Sequence, residues 1–216
     1  MDKRPDDSYV AAHEANKDLG KTDKGRKLLS SDLGAVVLGT YEKAEKLRSE
    51  NVRDSMTGVF NYHYLINELD NRTRNLNGEK FAVLWVDMDN LKTINDNRGH
   101  AAGSEVLIGI ARLLENKIRP NEKGFVGRYG GDEFIIVIPG ITNIESAKKR
   151  AEEVRQSISK TEFRAINDRV HETVSIGVGL WNGKETTKQL LGRVDEAMYE
   201  AKKRGKNLVV EAKENV

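Results

Sequence analysis

The stretch RYGGDEF, residues 128–134, places two glycines and two acids between apolar segments. Residues 125–129 and 134–138 have the composition of short strands, and Gly130-Gly131 between them is a strong signal for a tight hairpin. A turn requires the glycines, but it does not require both acids. The rest of the chain must therefore decide whether these acids belong only to a turn or hold a metal ion.

A second acidic pair closes a strand that the sequence predicts to be buried. Residues 81–88 (FAVLWVDM) are apolar at successive positions, which is typical of a central strand covered on both faces. Asp87 and Asp89 stand at its end, two residues apart and hence on one face. If the hairpin lies beside this strand, Asp87 and Asp132 can approach each other, and such like charges are unfavourable unless a cation lies between them. Oxygen ligands of this kind favour Mg²⁺ or Mn²⁺.

The remaining elements alternate along the chain and define its fold class. We predict helices at residues 61–75, 104–118, 144–159 and 187–204, and further strands at 172–180 and 208–211. This order around an internal hairpin indicates an α/β fold, a mixed central sheet flanked by helices. Residues 31–52 carry apolar side chains three or four apart, which predicts an N-terminal helix. We therefore divide the chain into a polar segment, 1–52, and a domain, 53–216.

Composition excludes several classes of function. The 36 Lys and Arg nearly balance the 34 Asp and Glu, which gives no support for a nucleic-acid binder. The absence of cysteine excludes disulfides, thiolate metal sites and thiol catalysis. The first residues do not form a signal peptide, and no apolar run approaches the roughly 20 residues of a membrane helix. We expect a cytoplasmic protein without membrane insertion.

Each acidic motif alone is ordinary, because Asp-X-Asp at a strand end and Gly-Gly-Asp in a turn usually belong to solvated loops. Four motifs in order are more specific: DSMTG from Asp54, the block from Asp87 to Gly103, RYGGDEF, and AMYEAKKRGKN ending at Asn207. Together they resemble the GGDEF domain of diguanylate cyclases, whose fold is that of the palm-like nucleotidyl cyclases. The resemblance covers nearly all of the predicted domain.

The resemblance implies a nucleotidyltransferase that condenses two GTP molecules into cyclic di-GMP across a homodimer. Asp87 and Asp132 would carry the metal ions, with the backbone carbonyl of Met88 as a further ligand. Asp132 or Glu133 would assist as a base, although metal activation of the hydroxyl can make a dedicated base unnecessary. Asp54 would have a structural role in the turn that joins the N-terminal helix to the domain.

The resemblance also implies a set of substrate-binding residues. Phosphates would contact Lys92, the backbone amides around Asn90 and Leu91, and Lys202 and Lys206, which we expect on one helical face. The turn glycines Gly130 and Gly131 would adjoin the nucleotide, and Asn95 and His100 would contact its base or sugar. Each has an ordinary alternative, since lysines are also favoured at a helix C-terminus and His100 could be a surface histidine.

Ser104 and the segment 121–124 depart from the family's pattern. The family usually has an acid at Ser104, where a carboxylate accepts hydrogen bonds from guanine. A serine hydroxyl can donate or accept, so discrimination against adenine falls by roughly 1–3 kcal/mol. The Hypr subgroup, which makes cyclic GMP-AMP beside cyclic di-GMP, shares this serine, and we expect use of ATP beside GTP. The alternative is that Ser104 is a neutral helix start and Asn95 still enforces guanine. Asn121–Gly124 lacks the Arg-X-X-Asp motif of the family's product-binding inhibitory site, so we expect no feedback inhibition of that kind.

Two other classes of function fit the same residues. A degenerate domain could bind nucleotide or a protein partner without turnover, and Ser104 mildly favours that alternative. A different palm-like nucleotidyltransferase or a mononucleotide cyclase would use the same carboxylates. Activity of the first kind requires dimerisation, which we expect the helix at residues 31–52 to promote.

Overall fold

The computed structural model describes residues 52–74 and 79–214, and the chain from Arg53 onward forms one compact unit. Its helices are α1 (Tyr62–Arg74), α2 (Leu91–Arg98), α3 (His100–Asn116), α4 (Ile144–Ser159) and α5 (Thr187–Lys203). Its strands are β1 (Phe81–Met88), β2 (Phe125–Gly130), β3 (Glu133–Pro139), β4 (Glu162–Ala165), β5 (Asp168–His171), β6 (Val174–Leu180) and β7 (Val209–Glu211).

Five strands form the central sheet in the order β2-β3-β1-β6-β7, and β4 and β5 form a separate hairpin. All neighbours in the central sheet are antiparallel except β6 and β7, which pair in parallel. The sheet is therefore mixed, and helices cover both of its faces, which confirms the predicted fold class. Every residue of β1 is buried, as expected for the middle strand.

The side chains on the two faces of β1 belong to two separate hydrophobic cores. Ala82, Leu84 and the other even-numbered residues pack against apolar residues of α3 and α4. Phe81, Val83 and Trp85 pack against apolar residues of α1 and α5. Because side chains alternate along a strand, Asp87 continues the odd-numbered face that α5 covers. This alternation places Asp87 beside the C-terminal part of α5.

Helices α4 and α5 begin at side-chain caps. The side chain of Asn143 accepts a hydrogen bond from the backbone N–H of Ser146 at 2.9 Å. Thr186 and Gln189 form a capping box, in which each side chain bonds the other residue's backbone N–H. Such caps satisfy N–H groups that have no partner within the helix and stabilise it by about 1 kcal/mol each.

Several predicted boundaries need correction. Helix α3 begins at His100, four residues before the predicted start, so Ser104 lies inside the helix. Strand β6 begins at Val174 and leaves Glu172 outside it. Helix α2 and the β4–β5 hairpin were not predicted, because these short segments are mostly polar and show no apolar period. The helix predicted over residues 31–52 lies, except for Val52, outside the described residues.

Within the described ranges, no helix has the length and apolar character needed to cross a membrane.

Candidate active site

The ends of β1 and β3 bring three carboxylates to one edge of the sheet. Asp87 and Glu133 stand directly opposite each other in the antiparallel pair. The indole N–H of Trp85 donates to Oε1 of Glu133 at 3.3 Å, which directs that carboxylate along the same face. Asp132 lies within the two-residue turn itself, and not just after it as the sequence suggested. Its left-handed neighbour Gly131, with φ of 48°, makes this turn possible.

Asp87 is the buried member of this group, with 7% of its surface exposed. Burial raises the pKa of its carboxyl from 3.8 to about 7; the ammonium of Lys202 opposes this rise, and the charges of Asp132 and Glu133 add to it. The three acids are therefore close enough to influence one another electrically. A bound cation would lower this pKa and relieve the repulsion.

An ammonium group already occupies a position beside these acids. Nζ of Lys202 donates to Oδ1 of Asp87 at 2.5 Å and to the carbonyl oxygen of Met88 at 3.3 Å. These are the carboxylate and the carbonyl predicted as metal ligands, so the end of β1 accommodates a cation. Across residues 52–74 and 79–214, no cluster of three His, Cys, Asp or Glu is arranged to hold a metal by itself. A donor set of one buried carboxylate, Asp87, and one carbonyl, Met88, suits Mg²⁺, because Mg²⁺ binds few carboxylates and completes its shell with water and phosphate.

The carboxylate of Asp89 is engaged in hydrogen bonds that join separate segments of the fold. Its carboxylate accepts hydrogen bonds from the hydroxyls of Thr173 and Ser175, each at 2.6 Å, and from the backbone N–H of Asn207 at 3.0 Å. Asp89 thus ties the segment after β1 to the start of β6 and to the segment after α5.

Lys206 reaches the site by a different route from the one predicted. Helix α5 ends at Lys203, and Lys206 follows it with a left-handed backbone, φ 64°. Lys202 and Lys206 therefore do not share a helical face, and the prediction that they do was wrong. The loop nevertheless brings Nζ of Lys206 to the carbonyl oxygen of Asp89 at 2.6 Å. Both lysines thus contact the segment at the end of β1.

Arg128, the first residue of RYGGDEF, fixes the acidic turn in place. Its guanidinium donates to the carbonyl oxygen of Gly131 from Nε and Nη2, at 3.0 and 2.7 Å, and to Oδ1 of Asp54 at 3.0 Å. Asp54 also accepts hydrogen bonds from the backbone and hydroxyl of Thr57. Burial alone would raise the pKa of Asp54, but these bonds and the charge of Arg128 hold it below its usual value. The predicted structural role of Asp54 therefore extends to the acidic turn.

Helix α2 starts immediately beyond this edge. Asn90 is its N-cap residue, and its side chain makes no capping hydrogen bond. Leu91 and the exposed Lys92 form the first turn. The first three N–H groups of a helix have no partner within it and, together with the helix dipole, favour an anion.

Asn95 and Ser104 are brought to the junction of α2 and α3. A methyl group on Gly103 would lie 1.9 Å from Oδ1 of Asn95, so the Asn95 amide lies against the bare Cα next to Ser104. The neighbouring acid, Glu105, is already engaged: its Oε2 accepts a hydrogen bond from the backbone N–H of Ile166 at 2.5 Å. His100 lies exposed at the start of α3.

Two features of the site carried no functional signal in the sequence. Arg128 stood within the decisive motif but had no predicted partner. Glu172 looked like the first residue of a strand, but it is fully buried and bonded to Asn90. A charged residue flanking an apolar run looks like a solvated strand end, so only the structure reveals this contact.

Comparison with known proteins identifies the family. The family model described as diguanylate cyclase, GGDEF domain, matches residues 51–208. The chain therefore belongs to the GGDEF-domain family of diguanylate cyclases.

Individual relatives match the same region. The chain is 37% identical over 170 residues to diguanylate cyclase DgcM of Escherichia coli, covering 78% of this chain and 40% of DgcM. It is 37% identical over 164 residues to the response regulator PleD of Caulobacter vibrioides, covering 74% of this chain and 36% of PleD. The coiled coil and GGDEF domain of DgcB from Caulobacter crescentus, in complex with c-di-GMP, matches with a TM-score of 0.70 at 27% identity, covering 84% of this chain and 96% of that one. The chain thus spans less than half the length of these two curated relatives.

Proposed function

We propose that this chain is an active nucleotidyl cyclase that joins two nucleoside triphosphates into a cyclic dinucleotide. The product from two GTP molecules is cyclic di-GMP. One observation carries the proposal: the Asp87 carboxylate and the Met88 carbonyl already hold a cation, the Lys202 ammonium, within electrostatic reach of Asp132 and Glu133. A buried acid whose pKa is raised beside other acids is typical of a functional site.

The metal would be held by the carboxylates of Asp87 and Asp132 and the carbonyl oxygen of Met88. When bound there, Mg²⁺ or Mn²⁺ would neutralise the triphosphate and lower the pKa of the attacking ribose 3′-hydroxyl. Asp87 must be ionised to serve as a ligand, so its raised pKa ties metal binding to pH. Asp132 or Glu133 accepts the proton of the hydroxyl.

The triphosphate is held by the cations and N–H groups around the end of β1. The first turn of α2, with the backbone of Asn90 and Leu91, faces the phosphates together with Lys92. Lys202 exchanges its contact with Asp87 for a phosphate oxygen, and Lys206 joins it from the following loop. Gly130 and Gly131 leave the turn without side chains, so a nucleotide can approach its backbone closely.

The base lies at the junction of α2 and α3, where Asn95, His100 and Ser104 meet it. Asn95 can both donate to and accept from a purine edge. Ser104 offers a hydroxyl where the family usually has an acid, and Glu105 cannot replace that acid while it holds the β4–β5 hairpin. We therefore propose that ATP is accepted beside GTP and that cyclic GMP-AMP is a second product.

Turnover takes place in a homodimer, because one protomer presents one nucleotide and the reaction joins two. The segment at residues 31–52 is the proposed dimerisation helix. The DgcB structure, which contains a coiled coil together with its GGDEF domain, supports this assignment.

Product identification by mass spectrometry after incubation with equal GTP and ATP and Mg²⁺ tests the proposal. We expect cyclic di-GMP and cyclic GMP-AMP from the wild type, and neither from Asp132→Asn. In Ser104→Asp the ratio of cyclic GMP-AMP to cyclic di-GMP should fall by about 5- to 150-fold, the equivalent of roughly 1–3 kcal/mol.

Each contrary result has a separate meaning. If cyclic di-GMP were the sole wild-type product, the proposal that ATP is accepted beside GTP would be refuted, and the proposal of cyclase activity would stand. If both nucleotides bound without forming any cyclic product, the proposal of cyclase activity would be refuted in favour of a domain that only binds nucleotide.

A further inference from the structure

Glu172 is a fully buried acid with one unsatisfied oxygen, just before β6. Its exposed fraction is 0%. Oε1 accepts hydrogen bonds from the backbone N–H of Thr173 at 2.8 Å and from Nδ2 of Asn90 at 3.1 Å. Oε2 has no hydrogen-bond partner among the described residues. Burial raises the pKa of Glu172, and the charge of nearby Asp89 adds to the rise. Such a group costs stability, so a functional reason for its presence is expected.

The partner of Glu172 is the residue that should cap α2. An asparagine at the N-cap normally accepts a hydrogen bond from a backbone N–H of the first turn. Asn143 makes such a bond at the start of α4. Asn90 makes none: its side chain donates to Glu172, and its ψ of 15° departs from the extended backbone of Asn143, whose ψ is 149°. The two helices have the same N-cap residue type, and they differ both in the contact with Glu172 and in the backbone conformation at the cap.

The diverted side chain leaves the first turn of α2 open. The first N–H that an intrahelical bond satisfies is that of Ile94, which donates to the carbonyl oxygen of Asn90 at 3.1 Å. The N–H groups of residues 91–93 precede it and receive no side-chain cap. If Oδ1 of Asn90 capped this turn, it would take the N–H groups that a phosphate oxygen would otherwise accept from.

We propose that Glu172 is a positioning residue: it holds the Asn90 side chain away from the first turn of α2, so that the N–H groups of this turn remain available to the substrate triphosphate. The inference rests on the proposed function, in which nucleotide phosphates bind at this turn. It concerns the affinity for nucleotide and leaves the chemical step unchanged.

Kinetics with Mg²⁺ and GTP, together with the dissociation constant of a non-hydrolysable GTP analogue, test the proposal on the full chain. In Glu172→Leu, Asn90 loses its acceptor and caps α2; the KM for GTP and the dissociation constant should rise roughly 3- to 10-fold. The kcat should stay within twofold of the wild type. Glu172→Gln keeps the acceptor and should restore both values to within twofold.

The Asn90→Ala background shows whether the effect passes through Asn90. There, Glu172→Leu should cause no further change in KM or in the dissociation constant. An equal rise in the wild-type and Asn90→Ala backgrounds would overturn the proposal. Asn143→Ala, which removes a true cap from α4, is the matched control and should lower thermal stability with no change in KM.

A second comparison remains informative if Glu172→Leu does not fold. Asn90 is exposed, and serine caps a helix whereas alanine does not. The dissociation constant of Asn90→Ser should therefore exceed that of Asn90→Ala at least threefold, and equal values would refute the role of the open turn. If the wild type binds the analogue without turnover, the cyclase proposal fails, while the binding constants still decide this one.

Discussion

Replacing Asp87 by asparagine should separate the stability of the fold from its function. The wild-type carboxyl is buried, which raises its pKa from 3.8 to about 7. The folded chain therefore binds this proton more tightly than the unfolded chain. The resulting stabilisation is fully present below pH 3.8 and is lost as the pH rises through 7. The substituted amide would keep an oxygen for Lys202 but would carry no charge.

The size of the effect follows from these values. Between pH 5 and pH 8 the wild type should lose about 2–3 kcal/mol of unfolding free energy relative to Asp87→Asn, since each pKa unit corresponds to 1.36 kcal/mol. Urea unfolding at both pH values can follow the fluorescence of Trp85 and Trp181, the chain's two tryptophans, both buried. Despite its greater relative stability at pH 8, the variant should form no cyclic dinucleotide.

Asp54→Asn is the control for this experiment. The pKa of Asp54 is held below its usual value, so its contribution is already complete at pH 5 and should stay constant to pH 8. Parallel pH profiles of stability for the wild type and Asp87→Asn would refute the reasoning, because they would show that folding does not raise the pKa of the Asp87 carboxyl.

Three further substitutions test other parts of the account. Gly103→Ala should displace the Asn95 amide, which lies where the new methyl group would stand, and should raise the KM for GTP about tenfold. Gly192→Ala is the control: its methyl group would meet no atom within 4 Å, so KM should stay unchanged in the same assay. Arg193→Met should lower the unfolding free energy in urea by about 3–5 kcal/mol, because it leaves the buried Glu185 carboxylate without its partner; a loss below about 1 kcal/mol would contradict this. Arg128→Ala should release the acidic turn from Asp54 and lower kcat at least roughly tenfold. Arg128→Lys should restore little of the kcat, because an ammonium cannot make the forked contact with Gly131. Wild-type turnover by either variant would show that the turn holds its position without Arg128.

The sequence predicted the elements whose patterns are strong. Strand β1 and helix α4 begin and end at the predicted residues, because a continuous apolar run and a clear helical period define them. Helix α2 was missed, because Ile94 is its single buried residue and no apolar stripe marks it. The β4–β5 hairpin was missed because its strands are four residues long and mostly exposed.

Contacts between distant segments explain the remaining differences at the site. The sequence placed acids at the ends of β1 and β3, and the register of the sheet sets Asp87 opposite Glu133. No local pattern could show that Lys206 approaches by a left-handed loop or that Glu172 turns the Asn90 side chain. Both contacts join residues more than 80 positions apart, where sequence periodicity carries no information.

The central claim is that the carboxylates of Asp87 and Asp132 share divalent cations beneath a nucleoside triphosphate. Electron paramagnetic resonance of free Mn²⁺, titrated in the presence of a non-hydrolysable GTP analogue, measures this directly. We predict nucleotide-dependent Mn²⁺ binding by the wild type, and a loss of at least roughly tenfold in affinity in both Asp87→Asn and Asp132→Asn. Wild-type Mn²⁺ affinity in either variant would contradict the account.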